Sequence, residues 1–290
     1  MRWARAPQPP SRPAFASLLL VATQTELAAR FLELHRPGQP LLMPNPWDVG
    51  TARILAALGF EALATTSAGH AVSEGGLDGT ITREQAIAHG GALAAAVDVP
   101  VSADLENCFA DSPEDVAQTV RMAIDAGLAG CSIEDFTTNA DNPIYEFGFA
   151  VERVAAAAQA AHSGDVHFVL TARAENHLRG VDDLDDTIAR LRAYGEAGAD
   201  VLYAPGITSA EDIRRVVESA GRPVNVLTFP GVPPVAELAE LGVARVSVGS
   251  AFALTAIAAL AEAAEELRSS GTYGFLERSA AGSRAARAAL

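Results

Sequence analysis

Cysteine is nearly missing from this 290-residue chain: Cys108 and Cys131 are the only two. Neither a disulfide framework nor a cysteine zinc centre is therefore supported, and a reducing cytoplasm is the expected compartment. Positive charge is also scarce. Against 36 acidic residues stand 21 basic ones, a formal net charge of -15. That balance argues against nucleic-acid and anionic-membrane partners, which need a basic surface, but leaves small anionic substrates open because these respond to the local field. Long hydrophobic runs are lacking as well. The apolar stretch "FASLLLVA" near the start has eight residues, where a bilayer span takes about 20.

What remains is ample for a large core, with 49% hydrophobic and 20% charged residues. The length exceeds the usual single domain of roughly 150 residues, yet single α/β barrels routinely run to about 250. The first 22 residues are rich in Arg and Pro and contain no acid. Four prolines precede the apolar stretch and no A-x-A site follows it, which argues against a signal peptide. Residues 1–25 are expected to be a disordered extension, and residues 26–290 a single domain.

From Pro40 onward, short runs rich in Val, Leu and Ile alternate with amphipathic or Ala-rich stretches, the pattern of βα units around a parallel sheet. Eight candidate strands emerge, at 40–45, 61–67, 100–106, 129–135, 167–173, 200–205, 223–229 and 245–250. Helix starts are marked by Asp48, Ser112-Pro113 and Ser209. Helix ends are marked by Gly59, Gly127, Gly198, Gly221 and Gly242. Eight such units predict a (β/α)8 TIM barrel with further C-terminal helices, the doubly wound open sheet being the alternative.

In such barrels, chemistry gathers at the C-terminal ends of the strands. The third run, "VPVSADLENCF", closes on Asp104 and Glu106. Strand alternation would point both to one face, where their repulsion demands an offsetting charge. Ser67 closes the second run, Glu134 and Asp135 the fourth, Arg173 and Glu175 follow the fifth, and Asn225 lies in the seventh. An all-oxygen donor set without His calls for a hard cation, Mg²⁺ with Mn²⁺ as a substitute. Asp104, Glu106 and Glu134 are the expected metal ligands, and Arg173 the expected bidentate clamp for a substrate carboxylate. Asp135 alternates away from Glu134 and reads as a bridge to a helix. His70 reads as structural, Cys131 as core, and the Ala-rich stretches as packing helices.

The segments "NPWDVGTARILAALGFEALATTSAG", "VPVSADLEN", "AGCSIEDF", "LTARAE" and "VNVLTFPG…VAELAELGVARVSVG", in this order and spacing, resemble the isocitrate lyase and phosphoenolpyruvate mutase superfamily over about residues 26–268. The resemblance implies a (β/α)8 barrel that binds Mg²⁺ and a small 2-oxo or 2-hydroxy carboxylate and breaks a C–C or C–P bond through a pyruvate enolate. It matches Asp104, Glu106 and Glu134 to the metal positions, although the second acid is usually Asp. Ser67, Ala68 and Gly69 match the loop that holds the substrate carboxylate, with Asp78, Arg173 and Asn225 as further substrate-binding positions. Ser67, Glu134 and Arg173 would carry the catalysis. A homotetramer exchanging C-terminal helices is also implied.

The departures restrict the reaction. The loop after Glu134 reads "DFTTNADNPIYEFGF", without the Cys of the K-[KR]-C-G-H loop of the isocitrate-cleaving lyases and without the Lys of the phosphonomutases. The sixth strand ends in "YAPG" where the lyases carry Glu. Decarboxylation or hydrolysis of an oxaloacetate-like acid tolerates these losses best, because water can protonate a released enolate. Carbon–phosphorus chemistry on phosphonopyruvate and a non-catalytic metal- and carboxylate-binding barrel are the alternatives.

Overall fold

A computed structural model describes residues 22–290; residues 1–21, most of the expected extension, lie outside the described residues. Eight strands form one parallel sheet: β1 (Leu41–Met43), β2 (Leu63–Ala64), β3 (Val101–Asp104), β4 (Gly130–Glu134), β5 (Val169–Arg173), β6 (Val201–Tyr203), β7 (Val224–Leu227) and β8 (Arg245–Ser247). The order β1-β8-β7-β6-β5-β4-β3-β2 brings the two ends of the sheet together. The Ala64 amide donates to the Pro44 carbonyl at 3.2 Å across that seam. This is the (β/α)8 barrel expected, and the open sheet is excluded.

Helices α1 (Gln24–Glu33), α2 (Val49–Ala57), α3 (Ser67–Ser73), α4 (Arg83–Ala94), α5 (Pro113–Asp125), α6 (Phe147–His162), α7 (Leu184–Glu196), α8 (Ala210–Ala220), α9 (Val235–Glu240), α10 (Ala251–Ser270) and α11 (Leu276–Ala289) surround it. Their starts follow the sequence signals. Asp48, Ser112 and Ser209 each accept a bond from the third helical amide. Thr23 closes a capping box on α1, so that helix begins two residues before position 26. All five marked glycines adopt positive φ, between 67° and 111°, a region that costs other residues energy.

Strand alternation divides the side chains into two sets. Cys131, Ile133, Leu170, Ala172, Leu202, Val224, Val226 and Val246 are buried in the hydrophobic layer between sheet and helices. Their neighbours, Ser102, Asp104, Ser132, Glu134, Thr171, Arg173, Tyr203, Asn225, Arg245 and Ser247, line a central cavity instead. Barrels of this class usually fill the interior with branched apolar residues. Here it is polar from the floor upward. At the other end, His162 and His167 both bond Asp200, at 3.0 and 2.9 Å, joining α6 to the starts of β5 and β6.

No helix among the described residues is long and apolar enough to cross a membrane. The final helix α11 packs on α2. Along α10 only Ala253 is buried, and Leu254, Ile257, Leu260 and Leu267 are exposed.

Candidate active site

The cavity measures 610 Å³ and opens at the C-terminal ends of the strands. Asp104 ends β3, its amide held by Thr65 Oγ1 at 2.8 Å. Its Oδ2 accepts from Ser67 twice, from Oγ at 3.0 Å and from the amide at 3.2 Å. Ser67 Oγ also lies 3.2 Å from Asp78 Oδ1. One hydroxyl thus ties two acids from different loops. Ser67 is the first residue of α3 rather than the end of a longer second strand, because Thr66 caps that helix through Gly69.

Glu106 reaches the cavity by a different route from the one strand alternation suggests. The strand stops at Asp104, and Glu106, Cys108 and Phe109 have φ of 50°, 61° and 54°. Non-glycine residues in this left-handed region need support from their surroundings. Arg153 supplies it. Buried on α6, it donates to the carbonyls of Asn107, Ala110, Asp111 and Glu134, the shortest at 2.6 Å to Asn107, with its guanidinium stacked on Tyr145. The loop therefore keeps Glu106 turned toward Asp104.

Glu134 ends β4, buried, and faces Arg173 across the β4–β5 register. Arg173 Nη2 lies 3.1 Å from Glu134 Oε2 and 2.8 Å from Glu175 Oε1, while Nη1 lies 3.1 Å from Asp104 Oδ1. Arg179 lies 3.5 Å from Glu134 and makes an ionic approach of 3.2 Å to Glu175 Oε2. Its guanidinium covers the Phe136 ring at 3.5 Å. Asp135 points the other way, as alternation requires, and is bound by Tyr194 at 2.6 Å, Arg190 at 3.3 Å and the Glu175 amide at 2.8 Å.

Charge in this cluster is crowded. Burial, then Asp104 and Asp78, push the Glu106 carboxyl up to about 7, and burial raises Glu134 well above the usual carboxylate range. Glu106 Oε1 is buried with no hydrogen-bond partner among the described residues. A buried acceptor without a donor, next to two more carboxylates, fits a cation bound through oxygen.

Of the sequence-expected residues, Ser67, Ala68, Asp78, Asp104, Glu106, Glu134, Arg173 and Asn225 all line this one cavity. Gly69 does not. It is buried behind the site, its amide donating to Thr66 Oγ1 at 3.2 Å, and a Cβ there would meet Thr66 Cγ2 at 2.6 Å. Asn225 is largely committed within the protein: Oδ1 accepts from Arg245 at 2.9 Å and Nδ2 donates to Ser247 at 3.0 Å. His70 stacks on His89 at 3.7 Å, outside the main cavity lining. Cys131 is core, as expected. Arg179, Tyr203 and Arg245 also line the cavity and were not foreseen; Arg245 stands at the start of a strand, where a charge reads as solvent-facing.

The family model described as phosphoenolpyruvate phosphomutase matches residues 31–268. The chain belongs to this family. Among its relatives, a candidate lyase/mutase from Burkholderia cenocepacia J2315 is 54% identical, with a TM-score of 0.85 over 88% of this chain and 92% of that one. The 2-methylisocitrate lyase of Escherichia coli (strain K12) is 31% identical over 75% of this chain and 78% of its own. A structure of oxaloacetate acetylhydrolase in complex with the product oxalate is 26% identical, with a TM-score of 0.78 over 87% and 90%. The phosphoenolpyruvate phosphomutase family and its superfamily thus include carbon–carbon lyases and mutases as well as a hydrolase.

Proposed function

We propose that this protein is a Mg²⁺-dependent lyase that cleaves a C–C bond of a small 2-oxo or 2-hydroxy carboxylate. The observation that carries the reading is the meeting of Asp104, Glu106 and Glu134 in one cavity with Arg173. Three acids from two strand ends supply oxygen donors alone, and Glu106 Oε1, without a partner among the described residues, leaves a position that a hard cation suits. Mn²⁺ would be accepted for the same reason. When bound, the ion supplies concentrated positive charge beside the reacting carboxylate.

The protein's own groups do the rest. Asp104, Glu134 and Glu175 hold Arg173 at the cavity wall, where its planar fork would clamp a substrate carboxylate. Ser67 and the Ala68 amide offer donors to the remaining oxygens, and these interactions favour the transition state where charge builds on those oxygens. Asp78 orients Ser67. The chain contains no lysine, all of its 21 basic residues being arginine. A gating Lys is thus unavailable anywhere, which disfavours the phosphonopyruvate alternative. Small acids of the oxaloacetate class suit a loop that brings no Cys or Lys acid.

Pyruvate formation from oxaloacetate, 2-methylisocitrate, dimethylmalate and phosphonopyruvate, with oxalate formation from oxaloacetate followed alongside, tests the reading. One acid of the C–C group is expected to turn over with Mg²⁺, and Glu134→Gln to lower the rate at least about 100-fold. Full activity in Glu134→Gln would sink the metal role. Mg²⁺ and 2-oxo acid binding without turnover of any substrate would favour a binding protein.

The exposed apolar residues of α10 suit cover by further copies of the chain, a tetramer by family resemblance. Light scattering showing a monomer at micromolar concentration would exclude it.

A further inference from the structure

Arg245 is the one charged residue of the barrel interior that no acid answers among the described residues. It is 3% exposed, and no carboxylate lies within salt-bridge distance. Its partners are neutral: Nε donates to Asn225 Oδ1 at 2.9 Å, and Nη1 to Thr171 Oγ1 at 3.2 Å and to His35 Nε2 at 3.1 Å. His35 Nδ1 faces the Phe31 carbonyl at 2.8 Å, so it carries the proton and leaves Nε2 to accept. Burial, then Arg245 itself, push His35 down to about 3, so it adds no charge of its own. Nη2 has no hydrogen-bond partner among the described residues, and the side chain lines the same cavity as Asp104 and Glu134.

A buried guanidinium costs folding energy unless an anion answers it. Arg173, by contrast, is matched by three carboxylates. Burial, opposed by Tyr203 and reinforced by the nearby Arg173 charge, pulls Arg245 down to about 9, which leaves it charged at neutral pH. The barrel therefore holds a fixed cation at its floor with two N–H donors uncommitted. Ser102, Ser132 and Thr171 keep that floor polar and able to admit a charged group.

We propose that Arg245 is a second anion receptor, so that the substrate carries a further anionic group, remote from the carboxylate held by Ser67 and Arg173. This rests on the reading of the upper cavity as a metal and carboxylate site. The group is a carboxylate or a phosphonate, since a guanidinium fork accepts both. For a diacid, an ion-paired far carboxylate is stabilised in the ground state and departs poorly as neutral CO₂. Arg245 thus favours cleavages that retain that carboxylate over decarboxylation.

The test compares ligands that differ only at the far end: malate, 2-hydroxybutyrate and 2-hydroxy-3-phosphonopropanoate, titrated calorimetrically with Mg²⁺ present. Wild type is expected to bind at least one dianion tenfold or more tighter than 2-hydroxybutyrate, and the better of the two names the group. In Arg245→Gln the preference vanishes while 2-hydroxybutyrate affinity is kept. Equal affinities in the wild type, or a preference that survives Arg245→Gln, would overturn the proposal and leave the upper site intact. Should Arg245→Gln fail to fold, the wild-type comparison decides, with Arg245→Lys expected to retain part of the preference. If none of the three binds, the reading of the upper cavity fails, and this proposal with it.

Discussion

Arg173 Nη1 stands 3.1 Å from Asp104 Oδ1, joining the ends of β5 and β3 across the mouth of the barrel. The same guanidinium reaches Glu134 and Glu175. Arg173→Ala would leave three acids without their central cation, two of them buried, and is expected to lower stability by about 3–5 kcal/mol in urea unfolding. Arg173→Lys keeps the charge but loses the planar fork. It is expected to fold and to lose at least about 100-fold in kcat/KM. Near-normal stability in Arg173→Ala would show that the acids find other compensation.

Glu106 gives the site a definite dependence on pH. Its carboxyl, raised to about 7 from the ordinary 4.5 by burial and then by Asp104 and Asp78, holds its proton more tightly in the folded chain. The contribution to stability is fully present below about pH 4.5 and is lost as pH rises through 7. At 1.36 kcal/mol per pKa unit this amounts to about 3 kcal/mol. Glu134, raised by burial, acts in the same sense. A bound divalent ion needs the carboxylate, so its effect runs the opposite way. The Tm gain on adding Mg²⁺ is expected to be larger at pH 8 than at pH 6, and the difference to shrink in Glu106→Gln. Equal gains at both pH values would count against Glu106 as a ligand.

Arg153 bonds no cavity side chain yet sets the backbone that aims Glu106, through four carbonyl bonds, one of them to Glu134. Arg153→Met is expected to cost at least about 3 kcal/mol, because several buried acceptors lose their donor together. Mg²⁺ affinity should fall with it even though the carboxylates of Asp104 and Glu134 make no bond to Arg153. A stable variant with unchanged Mg²⁺ affinity would show that the left-handed turn at Glu106 holds itself.

Much of this was legible in the chain. Asp104, Glu134 and Arg173 each close a run of apolar residues, so their place at the mouth follows from strand period and barrel topology alone. Asp135 turning away to Arg190 and Tyr194 follows from the same period. Glu106 was placed correctly by an incorrect route. Its approach depends on a left-handed turn held by Arg153, 47 positions further on, and no local pattern carries that. Gly69 was misplaced because the Thr66 cap, which absorbs its amide, shows only once α3 is seen to begin at Ser67. Arg245 escaped notice since its partners His35, Thr171 and Asn225 come from distant segments. Only the closed barrel brings them together.

On the function proposed, the converging acids hold a divalent cation used in breaking a C–C bond. The measurement is the rate of pyruvate release from the substrate panel, and of oxalate release from oxaloacetate, by purified protein after EDTA treatment and again after adding back Mg²⁺. Turnover of a C–C substrate that disappears with EDTA and returns with Mg²⁺ is the expected result. Turnover unchanged by EDTA would remove the divalent cation from the reaction.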